Sequence, residues 1–198
     1  MKSRLKFPLF FLLLISAGTL RAQSVAPASA VTIQMDPAQS KILWTLPDVL
    51  HTVHGSFQLA SGAITFQPQS GAASGLFTVN EETGASGDGA RDRRMKRSIL
   101  EIAKYPTATF RPTHVTGAYH APGASTLVVD GVFHLHGADH PLQLTFQVES
   151  SGSHVVATTK FDIPYVAWGM RDPSTLFLRV GKSVQMEIDA QGTVQTAP

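Results

Sequence analysis

Apolar and polar residues alternate with a period of two along most of this chain. The clearest alternation runs through residues 53–59, 127–135, 142–148 and 184–190. Such a period is typical of strands with one buried and one exposed face, whereas parallel strands buried on both faces would be continuously apolar. The sequence therefore predicts an all-β protein of antiparallel strands, roughly eight to ten in number.

Aromatic residues are prominent on the apolar face of these strands. A long antiparallel sheet with one apolar face must close into a barrel or pair with a second sheet, and the alternation allows both. In a small eight-stranded barrel, inward side chains either fill the interior or line a cavity for one apolar ligand. The inward aromatic residues are Trp44, Phe57, Phe66, Phe77, Phe110, Phe133, Phe146 and Phe161. Their positions are compatible with a packed core and with a cavity.

One segment, from Asp88 to Tyr105, departs from this alternation. Its apolar residues recur with a period of about 3.6, which predicts a single short helix. We expect Asp92 to cap the start of this helix and Pro106 to end it at or before Tyr105. The apolar stripe of the helix contains Met95, Ile99, Ile102 and Ala103.

The first 22 residues are typical of a secretory signal peptide. Lys2, Arg4 and Lys6 precede a short apolar run, and small residues lead to a cleavage position after Ala22. The apolar run is shorter than the stretch of about 20 residues that spans a bilayer. We therefore expect the mature chain to be periplasmic or secreted and not to span a membrane. Residues 23–32 are predicted to be a linker, 33–192 the barrel domain and 193–198 a C-terminal tail.

Charge and cysteine content exclude several classes of function. Four of the 16 basic residues lie in the predicted signal peptide, which leaves 12 basic and 14 acidic residues beyond it. A mature chain with this charge lacks the electrostatic basis for binding nucleic acid. The absence of cysteine excludes disulfides, thiol catalysis and zinc sites with Cys ligands.

Histidines are the candidate metal ligands and catalytic bases. His134 and His136 share the outward face of one strand and His140 follows a turn, so they could bind zinc or copper weakly. A closed zinc site needs about four ligands, and exposed strand histidines are the simpler interpretation. His51 points inward near a strand end, as a core histidine or a catalytic base. With no GxSxG or HExxH motif, the sequence predicts no catalytic residue, metal or cofactor.

Basic residues are concentrated in the predicted helix. Six of the 12 cations beyond residue 22 lie between Asp88 and Tyr105. They form either a solvated helix face or an anion-binding site at the rim of a cavity, because guanidinium groups match phosphate oxygens. Arg91 and Arg94, together with His51, are the candidates for contacting a ligand head group.

Several segments, taken in order, resemble the YceI-like family of exported, lipocalin-like proteins. The resemblance extends from about Met35 to Gly192. The matching segments are residues 35–40 with Ile42 and Trp44, 51–57 with Gly62 and Phe66, Arg91-Asp92 with Met95, 105–110, 131–137 with 140–142, 161–163 and 184–188. Gln39 stands where many members have histidine, and Pro164 starts a segment unlike the family pattern. Because proline cannot donate to a strand ladder, we expect a loop there, near the barrel mouth.

The resemblance implies an eight-stranded, antiparallel, lipocalin-like barrel that binds a polyisoprenoid or quinone-type lipid. The inward aromatic residues would line its interior. Two alternatives remain. One is a metal-binding protein or hydrolase that uses His51, His134, His136 and His140, and the other is a structural or stress-response barrel packed solid.

Overall fold

The computed structural model describes residues 29–47, 52–176 and 179–196 of the 198-residue chain. These residues form strands and one helix. The elements are β1 (Val31–Met35), β2 (Lys41–Leu46), β3 (Val53–Phe66), β4 (Ala73–Ala85), α1 (Gly89–Ser98), β5 (Thr107–Thr116), β6 (Gly123–Leu135), β7 (Ala138–Ser151), β8 (His154–Ile163) and β9 (Val184–Thr196). No helix in the described part of the chain is both long enough and apolar enough to cross a membrane.

The strands form one closed antiparallel barrel. From β3 to β9 each strand pairs with its neighbour in sequence, and the sheet closes through the two short N-terminal strands. Both β1 and β2 lie between β3 and β9, so they share one position in the wall. Nine strands therefore occupy eight positions, which confirms the predicted eight-stranded barrel with one short helix.

The barrel extends slightly beyond the predicted domain limits. β1 begins at Val31 and β9 continues to Thr196, and these two residues are paired across the strands. The last two residues of the predicted linker and the first four of the predicted tail are thus part of the wall.

Side-chain burial follows the alternation seen in the sequence. In β8, Val155, Ala157 and Thr159 are buried, whereas Thr158 and Lys160 between and after them are exposed. The same alternation in the other strands gives the barrel one apolar interior, because successive side chains of a strand point to opposite faces.

Helix α1 differs from its prediction at the N-cap, whereas its end lies within the predicted limit. Asp88, not Asp92, is the N-cap, since its carboxylate accepts from the backbone N–H groups of Ala90 and Arg91, each at 2.9 Å. Asp92 instead accepts a hydrogen bond from the backbone N–H of Ser86. The helix ends at Ser98, before Tyr105 as predicted, so Ile102 and Ala103 of the predicted apolar stripe lie beyond it. Glu101, three residues after the helix, has a left-handed backbone (φ 51°).

Candidate ligand cavity

The interior of the barrel contains two adjoining compartments. The wide compartment has a volume of about 600 Å³ and extends to α1, and the narrow compartment has a volume of about 120 Å³. They share six lining residues, which form a constriction where the compartments meet. These are Ile42, Val79, Ala108, Phe133, Phe161 and Ile188. The open interior argues against the alternative of a barrel packed solid.

All eight predicted inward aromatic residues line these compartments. Phe66, Phe77, Phe110 and Phe146 line the narrow compartment, Trp44 and Phe57 line the wide one, and Phe133 and Phe161 line both. Since apolar side chains make up nearly the whole lining, the cavity suits an apolar chain better than a polar metabolite. Their contact with a ligand stays a prediction.

Two interior glycines explain why these large rings leave space. Trp44 of β2 lies across from Gly55 of β3, and a Cβ atom at Gly55 would come within 2.2 Å of the indole ring. Phe77 of β4 lies across from Gly62 of β3, where a Cβ atom would come within 2.7 Å of the ring. The rings thus occupy room next to the wall that a side chain would otherwise take, and the centre stays more open.

The helix and the segment after β8 complete the wide compartment. α1 contributes Arg94 and Met95, and the segment after β8 contributes Tyr165 and Met170. The Tyr165 hydroxyl donates to the carbonyl of Gly181 at 2.6 Å, which ties the two ends of this segment together. As Pro164 predicts, the chain leaves the strand ladder after Ile163 and turns.

The predicted head-group arginines line the wide compartment, but protein acceptors already engage them. The Arg91 side chain donates to the hydroxyl of Ser86 at 2.7 Å and to the Ser86 carbonyl at 3.1 Å. Arg94 donates to the Pro173 carbonyl at 3.4 Å. Arg91 therefore fixes the turn before α1, and its contact with a ligand stays a prediction, as does that of Arg94. His51 lies outside the described residues.

Sequence reasoning missed Glu81, which lines the wide compartment. The residue is only 2 % exposed, and neither carboxyl oxygen has a hydrogen-bond partner. Burial raises the pKa of Glu81 to about 7. Its position in the sequence could have predicted this, because Glu81 lies two and four residues from Val79 and Phe77 and therefore points to the same inward face of β4.

The three candidate histidines lie in separate pairings. His134 contacts Asp139 at 2.6 Å, His136 contacts Glu101 at 2.8 Å, and the ring of His140 stacks on Trp168 at 3.9 Å. Exposure of His134 is as predicted, at 40 %, whereas His136 is only 14 % exposed. The prediction was wrong for His136 because its backbone is left-handed (φ 51°) and Tyr105 packs on its ring.

The part of the chain that the structure describes contains no cluster of side chains suited to binding a metal ion. There, no group of three or more His, Asp or Glu side chains is placed to hold an ion. The described histidines therefore give no support to the metal-binding alternative.

Comparisons with known proteins agree with this architecture. Residues 33–192 match the family model described as a YceI-like domain. No curated protein sequence matches the chain significantly. BcnA of Burkholderia cenocepacia has a similar fold, with a TM-score of 0.64 and 18% identity over 82% of this chain and 99% of that one.

Two other solved structures share the fold. A polyisoprenoid-binding domain from Saccharophagus degradans gives a TM-score of 0.60 with 12% identity, over 85% of this chain and 99% of that one. The YCEI protein of Campylobacter jejuni gives 0.52 with 13% identity, over 67% of this chain and 80% of that one. At these identities the likeness shows the fold alone.

Proposed function

Because the chain belongs to the family of YceI-like domains, we propose that it is a non-enzymatic binding protein for a long apolar ligand. The ligand class is a polyisoprenoid or quinone-type lipid, held inside the barrel. The observation that carries this proposal is the apolar cavity of about 600 Å³ beside α1, with its extension through the constriction.

The size of the cavity suits a chain of several isoprene units. A cavity of about 150 Å³ holds one benzene molecule, which has six carbons. By this measure the wide compartment, at about 600 Å³, has room for roughly 24 carbons. The narrow compartment adds space for several more.

Burial of such a chain supplies enough free energy for stable binding. Each buried CH₂ group contributes about 0.8 kcal/mol, so one five-carbon unit contributes about 4 kcal/mol. Association costs about 4–15 kcal/mol in lost freedom of motion. About four units therefore offset this cost, so the chain itself would supply most of the affinity.

The likeness to the polyisoprenoid-binding domain of Saccharophagus degradans supports the choice of ligand class. We further propose that the protein acts in the periplasm or outside the cell, where a signal peptide would direct it. The composition of residues 1–22 supports this location. N-terminal sequencing of the protein from the cell envelope or the medium should begin at Gln23, and a cytoplasmic chain beginning at Met1 would contradict export.

Native mass spectrometry of the protein purified from its own host tests the proposed function. We expect a fraction of the protein to carry an added mass that denaturation releases as an isoprenoid or quinone-type lipid. The stripped protein should then bind an added C20 prenol at one molecule per chain. Protein that carries no lipid and does not take up the prenol would contradict the proposal.

A further inference from the structure

The buried Glu81 carboxyl is a polar group of the cavity that protein contacts leave unsatisfied. Its backbone N–H is paired with the Pro106 carbonyl at 3.1 Å, whereas both side-chain oxygens lack partners. A buried polar group without a partner is costly, and a ligand that supplies the missing hydrogen bond removes this cost. Glu81 therefore favours a ligand that carries a hydrogen-bond donor.

Neighbouring charges restrict the chemistry of that donor. The other ionisable residues lining the described part of the wide compartment are Asp88, Arg91, Arg94 and Tyr165. An anionic head near Glu81 would meet a like charge whenever the carboxyl is ionised. A cationic head would lose its hydration and share the compartment with two guanidinium groups. An uncharged donor avoids both penalties.

A hydroxyl group fits these conditions. Its O–H can donate to a Glu81 oxygen and so supply the hydrogen bond that the carboxyl lacks. The indole N–H of Trp44, which lines the same compartment, is likewise buried without a partner. Glu81 lies two residues along β4 from Val79 at the constriction. A chain whose head lies at Glu81 can thus extend into both compartments.

On the basis of the proposed function, we propose that Glu81 binds the hydroxyl group of a long-chain alcohol whose apolar tail fills the cavity. The protein then prefers the free alcohol to the phosphate ester of the same chain. Arg91 and Arg94, which the sequence suggests as head-group residues, already donate to Ser86 and to the Pro173 carbonyl, respectively.

The test compares three ligands of one chain length by calorimetry at pH 8. They are geranylgeraniol, its methyl ether, which lacks the donor, and geranylgeranyl phosphate. At this pH the Glu81 carboxyl is mostly ionised and can only accept. We expect the alcohol to bind about tenfold more tightly than the ether, and more tightly than the phosphate.

Variants test whether Glu81 causes the preference for the alcohol over the ether. In Glu81→Leu the alcohol and the ether should bind within about twofold of each other, with the ether bound at least as tightly as by the wild type. Glu82→Gln, at the exposed neighbouring position, should keep the wild-type ratio. Should Glu81→Leu fail to fold by circular dichroism, Glu81→Gln supplies the comparison. It keeps the shape but exchanges the carboxylate for a weaker acceptor, and should reduce the ratio.

The affinities for the alcohol and the ether at a lower pH provide a second test. At pH 5.5 the protonated Glu81 can donate to the ether oxygen, so the preference for the alcohol should shrink. Asp88 and Tyr165, which line the compartment with it, keep their charge state between these pH values. The helix N–H groups lower the pKa of Asp88, and burial raises the pKa of Tyr165 to about 12.

The outcomes separate this inference from the proposed function. Equal binding of alcohol and ether by the wild type, or a preference that survives in Glu81→Leu, would overturn the role of Glu81 and leave apolar-chain binding intact. Tighter binding of the phosphate than of the alcohol would also overturn it. If the wild type binds none of the three ligands, the proposed function fails, and the role of Glu81 fails with it.

Discussion

The indole ring of Trp44 occupies the place that a side chain at Gly55 would fill. A Cβ atom there would approach the ring within 2.2 Å and the backbone carbonyl of Ala85 within 2.3 Å. Contacts this short force a neighbour to move, and the backbone carbonyl has little freedom to do so. The ring and the glycine thus form one packing unit at the wall of the wide compartment.

Substitution of this glycine should destabilise the barrel and displace the ring. We expect Gly55→Ala to lower the free energy of unfolding by about 2 kcal/mol or more, measured by urea denaturation. In a Trp168→Phe background, Trp44 is the remaining tryptophan of the two in the sequence, so its fluorescence should shift with the displaced ring. Gly89→Ala is the matched control, because the nearest atom to its new Cβ is the tip of Arg93 at 3.4 Å. A Gly55→Ala protein as stable as Gly89→Ala would contradict the packing argument.

Ionisation of Glu81 should make the stability of the protein depend on pH. The folded-state pKa of about 7 lies above the 4.5 of an ordinary glutamate carboxyl, so the unfolded chain loses this proton first as pH rises. The contribution of Glu81 to stability is therefore greatest below pH 4.5, declines through the window up to pH 7, and stays constant above it. The decline amounts to about 3 kcal/mol.

Glu81→Gln isolates this effect, since glutamine does not titrate. Between pH 4.5 and 8, the unfolding free energy of the wild type should fall by about 3 kcal/mol relative to that of Glu81→Gln. Urea denaturation at several pH values measures this difference. Glu82→Gln, at an exposed position, should follow the wild type at every pH. Parallel curves for wild type and Glu81→Gln would show that the carboxyl is not desolvated in the folded protein.

A larger side chain at Ala108 should shorten the ligand that the barrel accepts. Ala108 is paired with Val79 across β4 and β5, and both lie at the constriction. Ala108→Leu should weaken binding of a C30 prenol, which needs both compartments, about tenfold or more, because the narrow compartment is cut off. Binding of the C10 alcohol geraniol should change much less. Ala138→Leu, on the exposed start of β7, should leave both affinities unchanged, and equal losses for both alcohols in Ala108→Leu would refute the constriction.

The N-cap of α1 can be tested by two substitutions at one position. Asp88→Ala removes the acceptor for two backbone N–H groups and should cost about 1 kcal/mol of stability. Asp88→Asn keeps a side-chain oxygen in place and should cost only a few tenths of a kcal/mol. Thermal unfolding monitored by circular dichroism distinguishes the two variants, and equal melting temperatures would argue against the cap.

The strand architecture could be predicted because its cause is local. The residue type at each position of a strand indicates whether its side chain points inward. The alternation in β8 or β9 was therefore sufficient to identify the buried face of that strand. The closure of the sheet was also predicted, although alternation alone allowed a sandwich. The order of the segments that resemble the YceI-like family removed this ambiguity.

The N-cap of the helix could not be predicted, because the sequence does not show which of two aspartates makes the capping contacts. Asp88 and Asp92 are equally good capping residues by type, and the choice follows from Ser86, whose backbone N–H and hydroxyl engage Asp92. The left-handed backbone of Glu101, three residues after the helix, was also not predictable, because this conformation is uncommon for glutamate.

The cavity was only partly predictable. Parity placed the eight aromatic residues on the inward face, but the space between them depends on glycines of the neighbouring strand, such as Gly62 opposite Phe77. Such pairs are set by register across strands, which one sequence does not reveal. Glu81 was missed because an acidic residue in a strand is normally assigned to solvent, although its parity pointed inward.

The closed wall also limits how this molecule can diversify. Because the strands are paired all the way around the barrel, the number of strands fixes the circumference, and an added strand would have to break an existing pairing. Small residues such as Ala157 and Ala190, which line the narrow compartment, are the adjustable parts. Exchanging them for larger residues, or bulky neighbours for smaller ones, changes the cavity volume in increments of a few carbon atoms while the backbone stays the same.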